Sequence, residues 1–369
     1  MHSLAALLPL ISLAIPFVNA QAGQTCNVTT SCLAAAPCCS EYGFCGTTEA
    51  FCLGGCNPLY SYKLDSCLPN PVCQSTLHTF PNNDRLLSNA TIYDGNATEY
   101  DFTVDEGSVI NTNQNGGELV LILTEANGGT RISSTRYLHY GTVTAKMKTG
   151  RWDGIVTAFI TMSNVKDEID WEFPGNTTLE GQSNYFWQGL ITNPRHGGFS
   201  NISSDSYSNY HDYTIDWQQD QLNWLIDGKV VRTLKKSDTL VNGVYQYPTT
   251  PSRIQLSLWP AGTSTDNAGT VAWSGGLINY NDPDYVSAGH FYALISSINI
   301  TCADPTAPAA DITGYVYGSN SSTDTPSVDL TNITTNINAA APALVGRSIA
   351  GLRTLLGVTV VAAIFGQML

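Results

Sequence analysis

Short stretches in which apolar and polar residues alternate fill the middle of the chain. The clearest of them span residues 118–124, 141–148, 155–162, 212–217, 222–226 and 253–259. They are rich in β-branched and aromatic residues, and turn sequences of the Asn-Gly, Asp-Gly and Gly-Gly type separate them at 115–117, 227–228 and 275–276. No long amphipathic helix is evident. The pattern predicts an all-β domain over residues 74–302, built as a sandwich of two antiparallel sheets.

Residues 168–173 form a predicted strand with an acid at every second position. Glu168, Asp170 and Glu172 alternate with apolar residues, so the three carboxyl groups share one face and the apolar side chains enter the core. Carboxylates crowded on one face repel each other and raise at least one pKa. A solvated acidic surface is the alternative. The apolar run 154–162 just before the acids favours a buried neighbouring strand, and therefore a chemical role for them.

A protonated carboxyl beside an ionised one is what cleavage of a glycosidic bond requires. One carboxylate attacks the anomeric carbon while the other group protonates the leaving oxygen. Residues four apart on a flat strand have Cα atoms about 13 Å apart at roughly 3.3 Å per residue. Retaining glycosidases instead hold their carboxyl groups about 5 to 5.5 Å apart. We therefore expect a curved sheet that brings Glu168 and Glu172 together over a cleft, with Asp170 tuning the pair.

The charge balance of the chain excludes one large class of partner. The 369 residues carry a net charge of -14, which argues against nucleic acid because phosphate binding needs a basic surface. Few charged residues and many Tyr, Trp, Asn, Ser and Thr residues favour an uncharged polymer, such as a polysaccharide. We expect neither a cofactor nor a metal ion, and we expect a monomer.

Three features of the sequence indicate secretion. An apolar stretch ends at Val18-Asn19-Ala20, so residues 1–20 are expected to be a signal peptide, although no Lys or Arg precedes the stretch. The 10 cysteines are expected to form disulfides in an oxidising compartment. Asn-X-Ser/Thr sequons predict N-glycosylation at Asn27, Asn89, Asn96, Asn176, Asn201, Asn299, Asn320 and Asn332.

The segment 21–73 is predicted to be a small disulfide-rich module with its junction to the next domain. The cysteine-dense part has too little apolar material for a core and enough crosslinks to replace one. A zinc site is the alternative, but no C-x-x-C pair is present and secretion favours disulfides. The cysteines expected to pair within the module are Cys26, Cys32, Cys38, Cys39, Cys45 and Cys52.

The spacing of these cysteines resembles that of hevein-type chitin-binding modules. The shared signature runs Cys38-Cys39-Ser40, two residues, Gly43, one residue, Cys45-Gly46, four residues, Phe51-Cys52. The resemblance implies that a serine and three aromatic rings hold N-acetylglucosamine, at Ser40, Tyr42, Phe44 and Phe51. A disulfide knot kept only for structure is the alternative. The resemblance fades beyond Cys56, so the pairing of the remaining cysteines stays open: Cys302 is expected to bond either Cys67 or Cys73.

Residues 136–175, which include the acidic strand, resemble glycoside hydrolase family 16, and more closely the fungal cell-wall transglycosylases that join chitin to β-glucan. The likeness continues through residues 211–213, 226–228 and 258–262. It implies a β-jelly-roll sandwich of the concanavalin type. It also implies that Glu168 is the nucleophile, Glu172 the general acid/base and Asp170 the assisting carboxylate. Chitin is the implied donor, and β-glucan or a second chitin chain is the implied acceptor.

Two other functions remain open at this stage. One is a plain retaining endo-glycan hydrolase, since nothing in spacing or composition decides whether water or a sugar hydroxyl accepts the cleaved chain. The other is a non-catalytic chitin-binding surface protein. Among the tryptophans, Trp259 and Trp187 are the predicted platforms for stacking on sugar rings.

The C-terminal part of the chain has a different composition. Residues 303–338 are rich in Ser, Thr, Asn, Pro and Ala, which predicts an extended, glycosylated stalk. Residues 339–369 end in an apolar stretch too short to favour a membrane span, and this layout predicts a GPI attachment signal that is removed. Asn338 is the expected attachment residue, and a true transmembrane anchor is the alternative. These features predict a protein at the cell surface, on the plasma membrane and in the cell wall.

Overall fold

The structure is a computed structural model that describes residues 23–114, 116–192, 195–319 and 326–338. Several sequence predictions lie outside the described residues: the signal peptide at 1–20, the anchor signal at 339–369, the sequon at Asn320 and the turn residue Asn115.

The described residues are mostly β-strands. In chain order the first strands are β1 (Cys38–Cys39), β2 (Cys45–Gly46), β3 (Asn70–Pro71), β4 (Thr76–Thr79), β5 (Leu86–Leu87), β6 (Phe102–Glu106), β7 (Val109–Asn111), β8 (Leu119–Leu123), β9 (Thr130–Leu138), β10 (Gly141–Lys148), β11 (Ile155–Ser163) and β12 (Glu168–Pro174). They are followed by β13 (Glu180–Phe186), β14 (Gly198–Asn201), β15 (His211–Trp217), β16 (Gln221–Ile226), β17 (Lys229–Lys235), β18 (Leu240–Val241), β19 (Val244–Tyr245), β20 (Ser252–Pro260), β21 (Phe291–Cys302), β22 (Gly314–Tyr317) and β23 (Val328–Thr331).

Helices are few and short in the described part of the chain. The α-helices are α1 (Glu49–Cys52), α2 (Ala268–Trp273) and α3 (Pro283–Ala288), and the 3-10 helices are Leu64–Ser66, Ala90–Ile92 and Lys236–Thr239. None of these described helices has the length and apolar character needed to cross a membrane.

Two large sheets pack face to face. One has the strand order β17-β16-β15-β10-β21-β8-β7, with β4 paired to β21, and the other has the order β14-β13-β12-β11-β20-β9-β6-β5. We call the second one the acid-bearing sheet because it contains β12. Neighbouring strands are antiparallel except β5 and β6, which pair in parallel at the edge. The predicted all-β sandwich is confirmed.

The core lies between the two sheets, and it fixes the orientation of β12. Ile169, Trp171 and Phe173 are buried in this core. The indole Nε1 of Trp171 donates to the Thr214 carbonyl oxygen at 3.1 Å, and Nε1 of Trp224 donates to the Asp170 carbonyl oxygen at 2.9 Å. Both bonds satisfy a buried indole N–H and tie the two sheets together at the level of the acids. The alternate side chains of β12 must therefore point outward.

Disulfides hold the N-terminal module together and close the sandwich. Within the module the bonds are Cys26–Cys39, Cys32–Cys45, Cys38–Cys52 and Cys56–Cys67. Cys73 bonds Cys302, 229 residues away, at the two ends of the sandwich. The expected disulfides are confirmed, and the choice left open for Cys302 falls on Cys73. Because no cysteine is free, no thiolate remains for the alternative zinc site.

The predicted stalk differs from the structure in its middle part. β22 and β23 pair with each other, and β22 pairs with β3, so residues 314–317 and 328–331 belong to a three-stranded sheet. Tyr315 and Tyr317 are buried, and the Tyr315 hydroxyl bonds the Asp304 carboxylate. The prediction of an extended segment starting at 303 was wrong because two alternating tyrosines supply apolar surface that the average composition conceals.

The sequon asparagines in the described residues lie at or near the surface. Asn96 is half-buried, and the others are exposed: Asn27, Asn89, Asn176, Asn201, Asn299 and Asn332. Asn338 is exposed too, and its side-chain amide donates to Asp94 Oδ2 at 2.8 Å.

Candidate active site

The three acids of β12 project from the outer face of the acid-bearing sheet. β12 lies between β11 and β13, and the register places Glu172 opposite Ala158 on one side and Gln182 on the other. Glu168 and Glu172 are half-buried, whereas Asp170 is only 2% exposed. The alternation seen in the sequence therefore places three carboxyl groups on one surface. The central carboxyl group, that of Asp170, is buried between the other two.

Asp170 and Glu168 share a hydrogen bond, and the environment decides which of them holds the proton. Burial raises the pKa of Asp170 well above its usual range, and the charges of Glu168 and Glu172 raise it further. Burial also raises the pKa of Glu168, to about 7, against the opposing influence of the Asp170 hydrogen bond and the Lys166 ammonium group. The Asp170 carboxyl group is therefore the protonated one, and it donates a hydrogen bond to the Glu168 carboxylate.

Glu172 differs from Glu168 because no described residue donates a hydrogen bond that would favour its ionised form. Burial, and then the nearby Glu168 charge, raise the pKa of Glu172 to about 8. At neutral pH the environment thus favours a protonated Glu172 and makes Glu168 the more readily ionised carboxyl. Such a separation of two carboxyl groups is the arrangement that acid/base chemistry at a glycosidic bond requires.

A row of paired residues crosses the acid-bearing sheet at Glu172. Directly opposite residues in antiparallel strands place their side chains on the same face. From β14 to β9 the row consists of Phe199, Gln182, Glu172, Ala158, Ser257 and Arg131. Five strand spacings of roughly 4.8 Å give this row a length of about 24 Å. The acids thus lie within a surface long enough to hold several sugar rings.

A groove opens beside Glu172 on the β14 side of this row. It has a volume of about 480 Å³ and includes Gln182, Phe199 and Trp273 in its lining. Phe199 is 70% exposed, and Trp273 Nε1 donates to Gln182 Oε1 at 2.8 Å. Two aromatic rings and several amides beside an acid are suited to a polysaccharide, because rings stack on sugar faces and amides bond hydroxyl groups.

Comparison with known proteins identifies the family. Residues 96–275 match the model of glycosyl hydrolases family 16. The chain is 44% identical to Crh-like protein 3 of Botryotinia fuckeliana over 315 residues, which are 84% of this chain and 69% of that protein. It is 42% identical to Crh-like protein 2 of Aspergillus fumigatus over 314 residues, 83% of this chain and 69% of that one. The chain belongs to glycosyl hydrolases family 16, among its Crh-like members.

A solved structure of a Crh-like protein shares the fold. The Crh5 transglycosylase in complex with NAG is 29% identical and superposes with a TM-score of 0.57, over 71% of this chain and 94% of that chain. This Crh-like family 16 chain is therefore an enzyme of the glycosidase class with a β-jelly-roll sandwich, as its sequence predicts.

The structure of this family 16 chain revises the choice of sugar-stacking tryptophans. Trp259 is only 8% exposed and lies stacked against Trp273, with ring centroids 6.0 Å apart. Trp273, which is half-buried, is the tryptophan that lines the groove. Trp259 packs against the Trp273 ring and does not belong to the described lining. Trp187 is half-buried and does not belong to the described lining of this groove. Phe199 was missed by sequence analysis because a lone Phe in a polar stretch carries no local signal.

The four module residues predicted to hold a sugar have different environments. Tyr42 is 41% and Phe44 40% exposed, so both rings present a face to solvent. The buried Ser40 hydroxyl accepts a hydrogen bond from the Phe44 backbone N–H at 3.3 Å. Phe51 packs against Gly46, where an added Cβ atom would lie 2.3 Å from the ring. Tyr42 and Phe44 are thus the rings best placed to meet a ligand.

Proposed function

We propose that this family 16 enzyme cleaves β-1,4 bonds of chitin with retention and transfers the cleaved chain to β-glucan or to another chitin chain. The observation that carries the proposal is the set of three carboxyl groups on the outer face of β12, beside a groove that Glu172 helps to line. Burial raises the pKa of all three, and the Asp170 hydrogen bond favours the ionised form of Glu168. The disulfide-rich module, with two exposed aromatic rings, supports chitin as the substrate.

In the proposed reaction Glu168, ionised, attacks the anomeric carbon of the donor chain. Glu172 gives its proton to the departing glycosidic oxygen, so the bond from anomeric carbon to oxygen breaks as the ester bond to Glu168 forms. Glu172 is then a carboxylate and takes the proton of the incoming acceptor hydroxyl, which displaces Glu168 and regenerates the enzyme. Two displacements at the same carbon retain the configuration.

Asp170 acts on Glu168 rather than on the sugar. Its carboxyl proton bonds the Glu168 carboxylate and so favours the ionised form that attacks. When the ester forms, the charge on Glu168 disappears, and the hydrogen bond then weakens. The role proposed for Asp170 is therefore to position and tune the nucleophile.

The choice between sugar and water as acceptor is a proposal supported by the relatives. A solved neighbour is named a transglycosylase and holds NAG, and the long row of residues across the sheet offers room for an acceptor chain beside the donor. A plain hydrolase would use the same three carboxyl groups with water as acceptor.

The proposed setting is the cell surface. Residues 1–20 would direct secretion, the exposed sequons would carry N-linked glycans, and processing near Asn338 would attach a GPI anchor to a monomeric enzyme. The proposed division of the chain is a module and junction at 21–73, a catalytic sandwich at 74–302 and a following segment at 303–338, which includes the packed strands β22 and β23.

The test of the proposal uses the secreted protein with chitin oligosaccharides as donors and a fluorescently labelled β-1,3-glucan oligosaccharide as acceptor. The expected product is a labelled chain longer than the acceptor, formed only when both sugars are present. Short chitin fragments without a longer labelled product would indicate a hydrolase, and no product of either kind would contradict the proposed activity.

Replacing Asp170 by Ala is expected to move the acidic limb of the pH–rate profile to higher pH. The hydrogen bond from Asp170 lowers the pKa of Glu168, so its loss raises that pKa and keeps the nucleophile protonated up to a higher pH. In the wild-type enzyme, kcat/KM is expected to rise as Glu168 ionises near pH 7 and to fall as Glu172 loses its proton near pH 8.

The matched control for this prediction is Asp170→Asn. The Asn amide can still donate a hydrogen bond to Glu168, so the acidic limb is expected to stay close to that of the wild type or below it. The measurement is kcat/KM against pH for the three proteins. An acidic limb that Asp170→Ala leaves unchanged, or moves to lower pH, would contradict the tuning role.

A further inference from the structure

The N-terminal module is docked on the same face of the sandwich as the catalytic acids. The Glu41 carboxylate of the module accepts bonds from two arginines of the acid-bearing sheet, at 2.7 Å from Arg131 Nη2 and at 2.6 Å from Arg253 Nη2. The Tyr137 hydroxyl accepts a bond from the Gly55 N–H at 3.0 Å. A charged module residue therefore bridges two strands of the sandwich.

The ion pairs of this contact are shielded from water. The side chains of Glu41 and Arg253 are 11% and 6% exposed, and Asp105 lies 3.3 Å from Arg131 and 3.8 Å from Arg253 to balance the second positive charge. A glycine at position 55 is needed for the approach, because a Cβ atom there would lie 2.7 Å from the Glu41 carboxylate. A buried, geometrically constrained contact of this kind holds the module in one orientation, unlike a module on a flexible tether.

The docked orientation places Tyr42, one of the two exposed module rings, beside the β9 residue of the row that contains Glu172. Arg131 is the β9 residue of that row, and its Nη2 donates to the Tyr42 hydroxyl at 2.7 Å. Arg131 and Glu172 are three strand spacings apart, which is about 14 Å at roughly 4.8 Å per spacing. The two residues between them, Ala158 and Ser257, have small side chains, and Ala158 is buried in a small apolar cluster with Trp259.

The contact between Glu41 and Arg253 lies close to Glu168, the proposed nucleophile. Arg253 pairs with Met162, and Met162 pairs with Glu168, so Glu41 bonds a residue only two strands from Glu168. Burial would raise the pKa of Glu41, but the Arg131, Arg253 and Lys166 charges lower it to about 2. The same Lys166 charge opposes the burial that raises the pKa of Glu168 to about 7. The module thus lies beside the acids, at the side of Glu172 away from Phe199.

We propose that the docked module forms one end of the substrate groove, so that Tyr42 stacks on a sugar of the same chitin chain that lies across the catalytic acids. This inference rests on the proposed function and adds to it. The module then extends the groove by a distal sugar site, and chitin recognition and chitin cleavage act on one continuous chain rather than on two chains brought close by a tether.

The test measures kcat/KM on soluble chitin oligosaccharides of increasing length. Tyr42→Ala is expected to lower kcat/KM for long oligosaccharides by up to about tenfold, the loss of one stacking contact, and to leave short ones unchanged because they do not reach Tyr42. Tyr62→Ala is the matched control, because Tyr62 is an exposed module tyrosine that contacts Lys63 rather than the sandwich. It is expected to behave like the wild type at every length.

A second variant separates docking from stacking. Glu41→Gln weakens the ionic contact and leaves Tyr42 intact, and it is expected to give the same length-dependent loss with an unchanged kcat on short oligosaccharides. If Glu41→Gln fails to fold, Tyr42→Phe takes its place. It keeps the ring and removes only the hydroxyl that Arg131 bonds, so a smaller loss than that of Tyr42→Ala is expected, again only on long chains.

The outcomes distinguish this inference from the proposed function. If Tyr42→Ala weakens action only on insoluble chitin and on no soluble chain, the module is an independent lectin site and the inference is wrong. If the wild type turns over no oligosaccharide, the proposed function fails, and the groove is then judged by calorimetric binding of long and short chitin oligosaccharides. A loss of affinity in Tyr42→Ala confined to long chains supports a continuous groove, and equal affinities for both proteins overturn it.

Discussion

Replacing Glu168 by Gln is expected to lower the rate of glycosyl transfer by about 10⁴- to 10⁶-fold, the scale at which enzymes lose activity with their covalent nucleophile. The amide has nearly the same shape as the carboxylate but no charge to attack the anomeric carbon. Binding of the sugar chain should be unchanged, since Glu168 contributes its charge to the reaction rather than to the groove's shape. The measurement is single-turnover transfer of a labelled acceptor, with oligosaccharide affinity measured in parallel.

The control for Glu168→Gln is Glu125→Gln, which removes one charge from an exposed turn after β8, in the other sheet. We expect this variant to transfer at the wild-type rate. Thermal unfolding should be measured for both, because the Glu168 side chain is half-buried and bonds Asp170. A correctly folded Glu168→Gln protein that still transfers label at the wild-type rate would remove Glu168 from the mechanism.

Replacing Glu172 by Ala is expected to lower transfer from natural oligosaccharides by about 10²- to 10⁴-fold, the usual contribution of a general acid. The reason is that the departing sugar oxygen is a poor leaving group without a proton. An aryl glycoside whose phenol leaves without protonation removes this need. The first step should therefore be nearly as fast with Glu172→Ala as with the wild type when such a donor is used.

The second step gives an independent check on Glu172. Without a base, water or a sugar hydroxyl attacks the enzyme-bound sugar slowly, whereas azide is already an anion and needs no base. Added azide should accelerate turnover of the aryl glycoside by Glu172→Ala and give a glycosyl azide of retained configuration. An equal loss on natural and activated donors, with no effect of azide, would show that Glu172 is not the acid/base.

The architecture of the sandwich could be predicted from local pattern alone. The strand predicted at 141–148 is observed as Gly141–Lys148, and the one predicted at 155–162 as Ile155–Ser163. Alternation with a period of two is a property of neighbouring residues, so it survives without knowledge of the partner strand. The same period placed the three acids on one face. The apolar residues between the acids were enough to predict that the acids point away from the core.

What could not be predicted depends on contacts between distant parts of the chain. The choice of Cys73 over Cys67 as partner of Cys302 depends on how the ends of the sandwich meet. Trp259 and Trp273 are equivalent in sequence, and only the packing of α2 on β20 decides which ring is covered. Glu41 and Arg131 are separated by 90 residues and bond only because the module docks. The average composition of residues 303–338 likewise gave no sign that Tyr315 and Tyr317 of β22 would be buried.

The central claim is that Glu168 forms a covalent bond to the sugar, and the most direct measurement is its capture. Glu172→Ala incubated with an activated aryl chitin oligosaccharide and no acceptor should accumulate the glycosyl-enzyme. After removal of N-linked glycans, tryptic digestion and fragmentation mass spectrometry should place the added sugar on Glu168, in the peptide that begins after Lys166. The absence of any adduct during turnover, or an adduct on Asp170 or another carboxylate, would contradict the mechanism.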